Sequence, residues 1–118
     1  MELAVYLQQV VRNFSRYNKY SIGTELRDLS RRIITLIIKA NSHHDKSRVL
    51  VELVETCEML KTSIVFAKEV KAFSSFKSFQ HASSLAVILC KQSEGWLKSS
   101  RKRQNHQPSK RRVDERAK

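Results

Sequence analysis

Apolar residues in the first hundred positions recur at steps of three and four, the period of helices buried along one side. Leu3, Leu7, Val10 and Phe14, broadened by Tyr6 and Val11, predict a helix over residues 2–15. After "SRYNKY", read as a loop, Ser21 is expected to cap a second helix. Its stripe runs Ile22, Leu26, Leu29, Ile33, Leu36, Ile37 and Ala40. A third helix is predicted from a cap at Asp45 to Phe73, with Leu50, Leu53, Cys57, Leu60, Ile64 and Ala67 as a heptad seam. Ser74 or Ser75 is expected to cap the fourth, which carries Phe76, Phe79, Ala82, Leu85, Ala86, Leu89, Cys90, Trp96 and Leu97 to about residue 99. Glycine occurs only at Gly23 and Gly95 and proline only at Pro108, so residues 1–99 lack the punctuation of strands and hairpins. Four amphipathic segments with short connections predict an all-α, antiparallel up-down-up-down four-helix bundle over 1–99.

Two helices carry more apolar surface than one stripe needs. Between the main stripe of the second helix and its polar face (Glu25, Asp28, Arg32, Thr35, Lys39) runs a further strip of Arg27, Arg31, Ile34 and Ile38. On the third helix, Met59, Phe66, Val70 and Phe73 align away from the heptad seam. Apolar strips beyond what a monomeric bundle hides mark partner surfaces, so all eight residues are candidates for a subunit interface. The competing expectation is a core widened at an irregular helix crossing.

Charge changes the picture next. The chain has 23 Lys and Arg against 11 Asp and Glu, a net +12, which favours a polyanionic partner: nucleic acid, an acidic protein or an anionic membrane. Half of this excess lies in residues 1–99 and half in "SRKRQNHQPSKRRVDERAK", residues 100–118, a stretch too poor in apolar residues to order itself and expected to be a disordered tail. Two clusters fit sequence-independent nucleic-acid binding. Arg12, Arg16 and Lys19 are interleaved with Tyr17 and Tyr20, which offer stacking faces. Lys98, Arg101, Lys102 and Arg103, with Lys110, Arg111 and Arg112 beyond, form the other. Arg27 and Arg31 sit on the apolar strip and are assigned to the interface instead. No run approaches the roughly 20 apolar residues of a membrane span, and "MELAVYLQQVVRNF" lacks the basic start of a signal peptide. A cytoplasmic protein without a membrane partner is expected.

Little in the chain points to catalysis. Cys57 and Cys90 fall within apolar helical patterns and read as buried thiols. His43 and His44 beside Asp45 lack the second pair of ligands a metal site needs, and His81 has no neighbouring nucleophile or orienting carboxylate. Phosphate-loop, H-E-x-x-H and G-x-S-x-G patterns are missing. No cofactor, metal or catalytic residue is expected, which leaves a nucleic-acid-binding oligomer, a structural bundle binding an acidic protein, or, further off, a small helical nuclease or toxin component.

Three stretches and their order carry a resemblance: "RYNKYSIGTELRDLSRRIITLIIKAN", "LVELVETCEMLKTSIVFAKEVKAF" and "SFKSFQHASSLAVILCKQSEGWLKS", with, within them, the turn Tyr20 to Gly23, the pair Ala40–Asn41, Ala67 to Val70 and Gly95 to Lys98. In order and spacing they resemble the accessory variability determinants, four-helix-bundle accessory proteins of diversity-generating retroelements. Glu94 stands where that family often has a second glycine. The bundle proteins encoded by ribosomal RNA intervening sequences share the architecture and are the nearest alternative. The resemblance implies a homopentameric ring with a positive surface that binds the retroelement's reverse transcriptase and RNA or DNA, supporting synthesis of adenine-mutated cDNA while the polymerase supplies the catalytic groups. Gly95 is expected to admit a closely packed helix.

Overall fold

The computed structural model describes residues 2–42 and 46–105, and all regular structure within them is helical. Helix α1 spans Glu2–Arg12, α2 Arg16–Tyr20, α3 Ile22–Ser42, α4 Ser47–Glu69 and α5 Phe76–Asn105. The four longer helices form the bundle. Each packs against two neighbours, α1 with α3 and α5, and α4 with α3 and α5, so α3 and α5 stand on opposite corners. The seams meet in a single core in which Leu7, Leu26, Leu36, Leu50, Leu53, Leu60 and Ile64 are essentially water-free. Each such side chain contributes roughly 1.5–3 kcal/mol relative to exposure. The core therefore follows the predicted stripes.

Local chemistry moves several element ends. Helix α1 stops at Arg12, where the Asn13 and Phe14 amides donate to Val10 and Val11 carbonyls three residues back. "SRYNKY" is not a loop: Ser15 Oγ accepts from the Asn18 amide at 3.3 Å and caps the five-residue α2. Ser21 does stand directly before α3, its carbonyl accepting from the Glu25 amide at 3.3 Å, but its hydroxyl donates back to the Tyr17 carbonyl at 2.9 Å instead of accepting from a first-turn amide. The short helix folds against the start of α3 at Gly23, where an added Cβ would lie 2.7 Å from Val11 Cγ1 and 3.1 Å from the Asn18 carbonyl oxygen. The close approach expected at Gly95 is found here instead, since nothing lies within 4 Å of a Cβ at Gly95.

Helix α4 ends at Glu69 rather than Phe73. The Ala72 amide donates to Ala67 O and the Lys71 amide to Lys68 O, both at 2.9 Å, with Lys71 at φ 60°. This pairing satisfies the last carbonyls and turns the chain, using a lysine where glycine is usual. Phe73 consequently leaves the α4 strip and packs inward, its ring centroid 5.5 Å from Phe14 and 5.9 Å from Phe79. Ser75 caps α5, accepting from the Ser78 amide at 3.1 Å. Phe76, assigned to the core stripe, is instead 63% exposed. At its far end α5 continues past residue 99 to Asn105, and Ser100 is buried, so the first six residues assigned to a tail are helical. The cap predicted at Asp45 lies outside the described residues.

Candidate nucleic-acid and subunit surfaces

The up-down-up-down path sends the two basic clusters to opposite ends of a bundle 62 Å long and about 20 Å across. At one end lie Arg12, closing α1, and Arg16 and Lys19 on α2. The turn from α4 to α5 arrives at the same end, as the Phe14–Phe73 contact requires, and brings Lys68, Lys71 and Lys77. At the other end Lys98, Arg101, Lys102 and Arg103 are exposed along the last turns of α5, near Lys46, whose Nζ stands 5.8 Å from the centre of the Trp96 ring. Lys110, Arg111 and Arg112 lie outside the described residues. Lys71, Lys77 and Phe76 escaped the reading by clusters because they are scattered in sequence; only the antiparallel topology shows that their turn meets α2.

Few of these cations are neutralised. Among the described residues the ion pairs are Arg32 with Glu52, Lys61 with Glu58 at 3.1 Å, and Lys68 with Glu69 at 3.4 Å. The Lys61–Glu58 hydrogen bond raises the lysine's pKa. Arg12, Arg16, Lys19, Lys98, Arg101, Lys102 and Arg103 have no ion-pair partner among the described residues. Asp28, Glu52, Glu55 and Glu58 stand along α3 and α4 away from the helix ends, whereas Glu25 lies in the first turn of α3 and Glu69 closes α4.

The two surplus apolar strips occupy different sides of α3. On the α4 side, Glu25 accepts from Ser63 Oγ at 3.2 Å and Arg32 pairs with Glu52, fixing which face of α3 borders α4. Met59, Phe66 and Val70 lie along that border, 56%, 56% and 40% exposed, with the exposed carboxylates of Asp28 and Glu55 beside them. The strip of Arg27, Arg31, Ile34 and Ile38 is on the opposite side of α3. There the 11-residue α1 is much shorter than the 21-residue α3 and leaves part of the α3–α5 groove uncovered. The open groove, about 310 Å³, is lined by Ile33, Ile34 and Ile37 of α3 and by Leu85, Ile88 and Leu89 of α5. Ile34 is half-buried in it, while Ile38 and Ile88 stand more than half exposed at its margin. Arg27 Nε is buried on this side without a hydrogen-bond partner among the described residues.

Cys57 and Cys90 are buried free thiols at the α4–α5 contact, with Cys57 Sγ 3.5 Å from Ser93 Oγ. Burial raises the Cys57 pKa and pushes Cys90 up to about 12, the opposite of what a nucleophilic thiol needs. His81 is exposed, its ring edge-on to Tyr6 with centroids 4.5 Å apart, and the Tyr6 hydroxyl donates to the Ser78 carbonyl at 3.4 Å. No helix among the described residues is long and apolar enough to cross a membrane.

Comparisons with curated proteins and with solved structures gave no match. The family described as bAvd-like matches residues 1–100, which spans all four bundle helices up to the last turns of α5. With the turn at Gly23, the bundle order and the three stretches of resemblance all falling within that match, this chain belongs to the bAvd-like family, the accessory variability determinants.

Proposed function

We propose that this protein is a non-catalytic accessory subunit of a diversity-generating retroelement, one that associates with the reverse transcriptase and with its RNA or DNA during mutagenic cDNA synthesis in the cytoplasm. Family membership supports the role, and the observation that carries the nucleic-acid part is the set of cations without ion-pair partners among the described residues at both ends of the bundle. Cations held on helices can release counterions from a phosphate backbone without paying for neutralisation by neighbours. Arg12, Arg16 and Lys19 at one end, and Lys98, Arg101, Lys102 and Arg103 at the other, are the binding residues, with Lys110, Arg111 and Arg112 extending the second group.

Self-association follows from the two strips. A twofold dimer uses one self-complementary face, whereas two different faces on one chain suit head-to-tail contacts that close into a ring, the pentamer of the family resemblance. Here one face is apolar with arginines (Arg27, Arg31, Ile34, Ile38) and the other apolar with carboxylates beside it (Met59, Phe66, Val70, near Asp28 and Glu55). Docking the first on the second would offer acceptors to Arg27 Nε and cover the α3–α5 groove.

Titration of full-length protein into labelled RNA and DNA at several salt concentrations tests the nucleic-acid reading. Each phosphate contacted adds about −0.9 to the slope of log affinity against log salt on duplex DNA. A chain cut after Asn105 keeps α5 whole and should bind more weakly with a shallower slope. A flat salt dependence, or no binding, would overturn the assignment.

A further inference from the structure

The end of the bundle that carries α2 differs from the other in more than its cations. Tyr17 is 76% and Tyr20 73% exposed, the two most exposed large apolar or aromatic side chains among those described, and Phe76 is 63% exposed. All three belong to this one end, placed there by α2 and by the first turn of α5. The core gives them no reason to be aromatic: a solvated position on a short helix or at a helix start is served as well by a polar residue. Beneath them, Phe14, Phe73, Phe79 and Phe76 form a continuous chain of ring contacts at 5.5, 5.9 and 5.6 Å, so the two connections that display the exposed rings are fixed to each other and to the core. Lys68 Nζ lies 5.1 Å from the Phe79 ring centre within the same layer.

Around these rings stand Arg12, Arg16, Lys19, Lys71 and Lys77; of the two acids on the adjoining turns, Glu69 is already paired with Lys68 and Glu25 accepts from Ser63 Oγ on the α4 side of α3. At the opposite end the exposed groups are cationic and the aromatic one, Trp96, is half-buried. Exposed rings among unpaired cations match one kind of polyanion, a strand whose bases are unstacked. Duplex DNA or RNA offers phosphates to both ends alike but hides its base faces; a single strand offers both.

We infer that the α2 end is a single-strand platform on which unpaired bases of RNA or DNA stack against Tyr17, Tyr20 and Phe76 while Arg16, Lys71 and Lys77 hold the phosphates, whereas the α5 end contacts phosphates only. This rests on the nucleic-acid reading and deepens it: the two ends take different forms of nucleic acid. An accessory subunit so built holds unpaired template or nascent strand at one end and backbone of any form at the other.

The test uses the full chain at one fixed salt concentration. Tyr17→Ala, Tyr20→Ala and Phe76→Ala remove exposed rings, and circular dichroism melts check that the fold is kept. Affinities for an unstructured single-stranded RNA, the same sequence as single-stranded DNA, and a duplex are measured by fluorescence anisotropy. 2-Aminopurine placed in the single strands reports stacking directly by quenching. Each stacked base lost should weaken single-strand binding roughly ten-fold, with duplex affinity within two-fold of wild type and the quenching lost. The RNA and DNA arms separate template from product strand as the occupant. Equal losses on single strand and duplex, or unchanged single-strand affinity and quenching, would overturn the platform while leaving nucleic-acid binding intact. Wild-type protein that binds none of the three would overturn both.

Discussion

The two glycines carry opposite structural weights. At Gly23 a methyl group would meet a buried valine and a backbone carbonyl of α2, neither of which can step aside without moving the α1–α2 connection. Gly23→Ala should therefore lower stability by about 1–3 kcal/mol. At Gly95 the space is open, and Gly95→Ala should raise it by about 1 kcal/mol through helix propensity alone. Thermal melts separate the two by sign, since about 1 kcal/mol moves the midpoint of a domain this size by 4–8 °C. Sequence motifs name both glycines, yet only three-dimensional neighbours distinguish the one that is needed for packing. Cys90 offers a second residue-level check. Its folded pKa, near 12, is above the unfolded value of 9.0, so the unfolded chain loses this proton first and stability falls as pH rises through that interval. Wild type should lose about 1.4 kcal/mol per pH unit more than Cys90→Ala above pH 9, in denaturant titrations at stepped pH. Parallel profiles would mean that the thiol ionises in the fold as readily as in the open chain.

At the scale of elements, the periodicity of Leu and Ile made the four bundle helices and most of their core legible in advance. Element ends were less so, because they depend on which competing cap wins. Ser15 and Ser21 are equally good caps by composition, and the α2 turn is decided by Phe14 anchoring the chain against Phe73. Lys71 in a left-handed turn, where glycine is expected, hid the end of α4. The α5 extension through Arg103 was masked by a run of cations that reads as a solvated tail but continues the helix. The strips on α3 and α4 were visible as patterns, but their placement on two different sides of α3 was not. That placement yields a test by mixing. Ile38→Asp removes one face and Met59→Asp the other, both at exposed positions, so each variant alone should keep its helicity and fail to assemble. An equimolar mixture should recover one intact junction and give dimers and nothing larger by sedimentation. If Met59→Asp alone still assembles, a single self-complementary face is in use and the head-to-tail arrangement is wrong.

The whole molecule is a rod with a cationic cluster at each end. Under the proposed function, such a distribution leaves the sides for neighbouring protein subunits and the ends for nucleic acid. Net charge alone favours a polyanionic partner but does not fix this division, since basic clusters read from the sequence can share one face or sit at opposite ends of a bundle 62 Å long; helix order decides. The claim that joins these features is that the protein supports a reverse transcriptase by holding its nucleic acid. Reconstituted cDNA synthesis by the retroelement's polymerase on its template RNA, with and without this chain, tests that claim most directly. Full-length cDNA should form only when the protein is present, and a folded Arg12→Glu/Arg16→Glu variant should leave it at least ten-fold reduced. Equal product in the protein's absence would contradict the account.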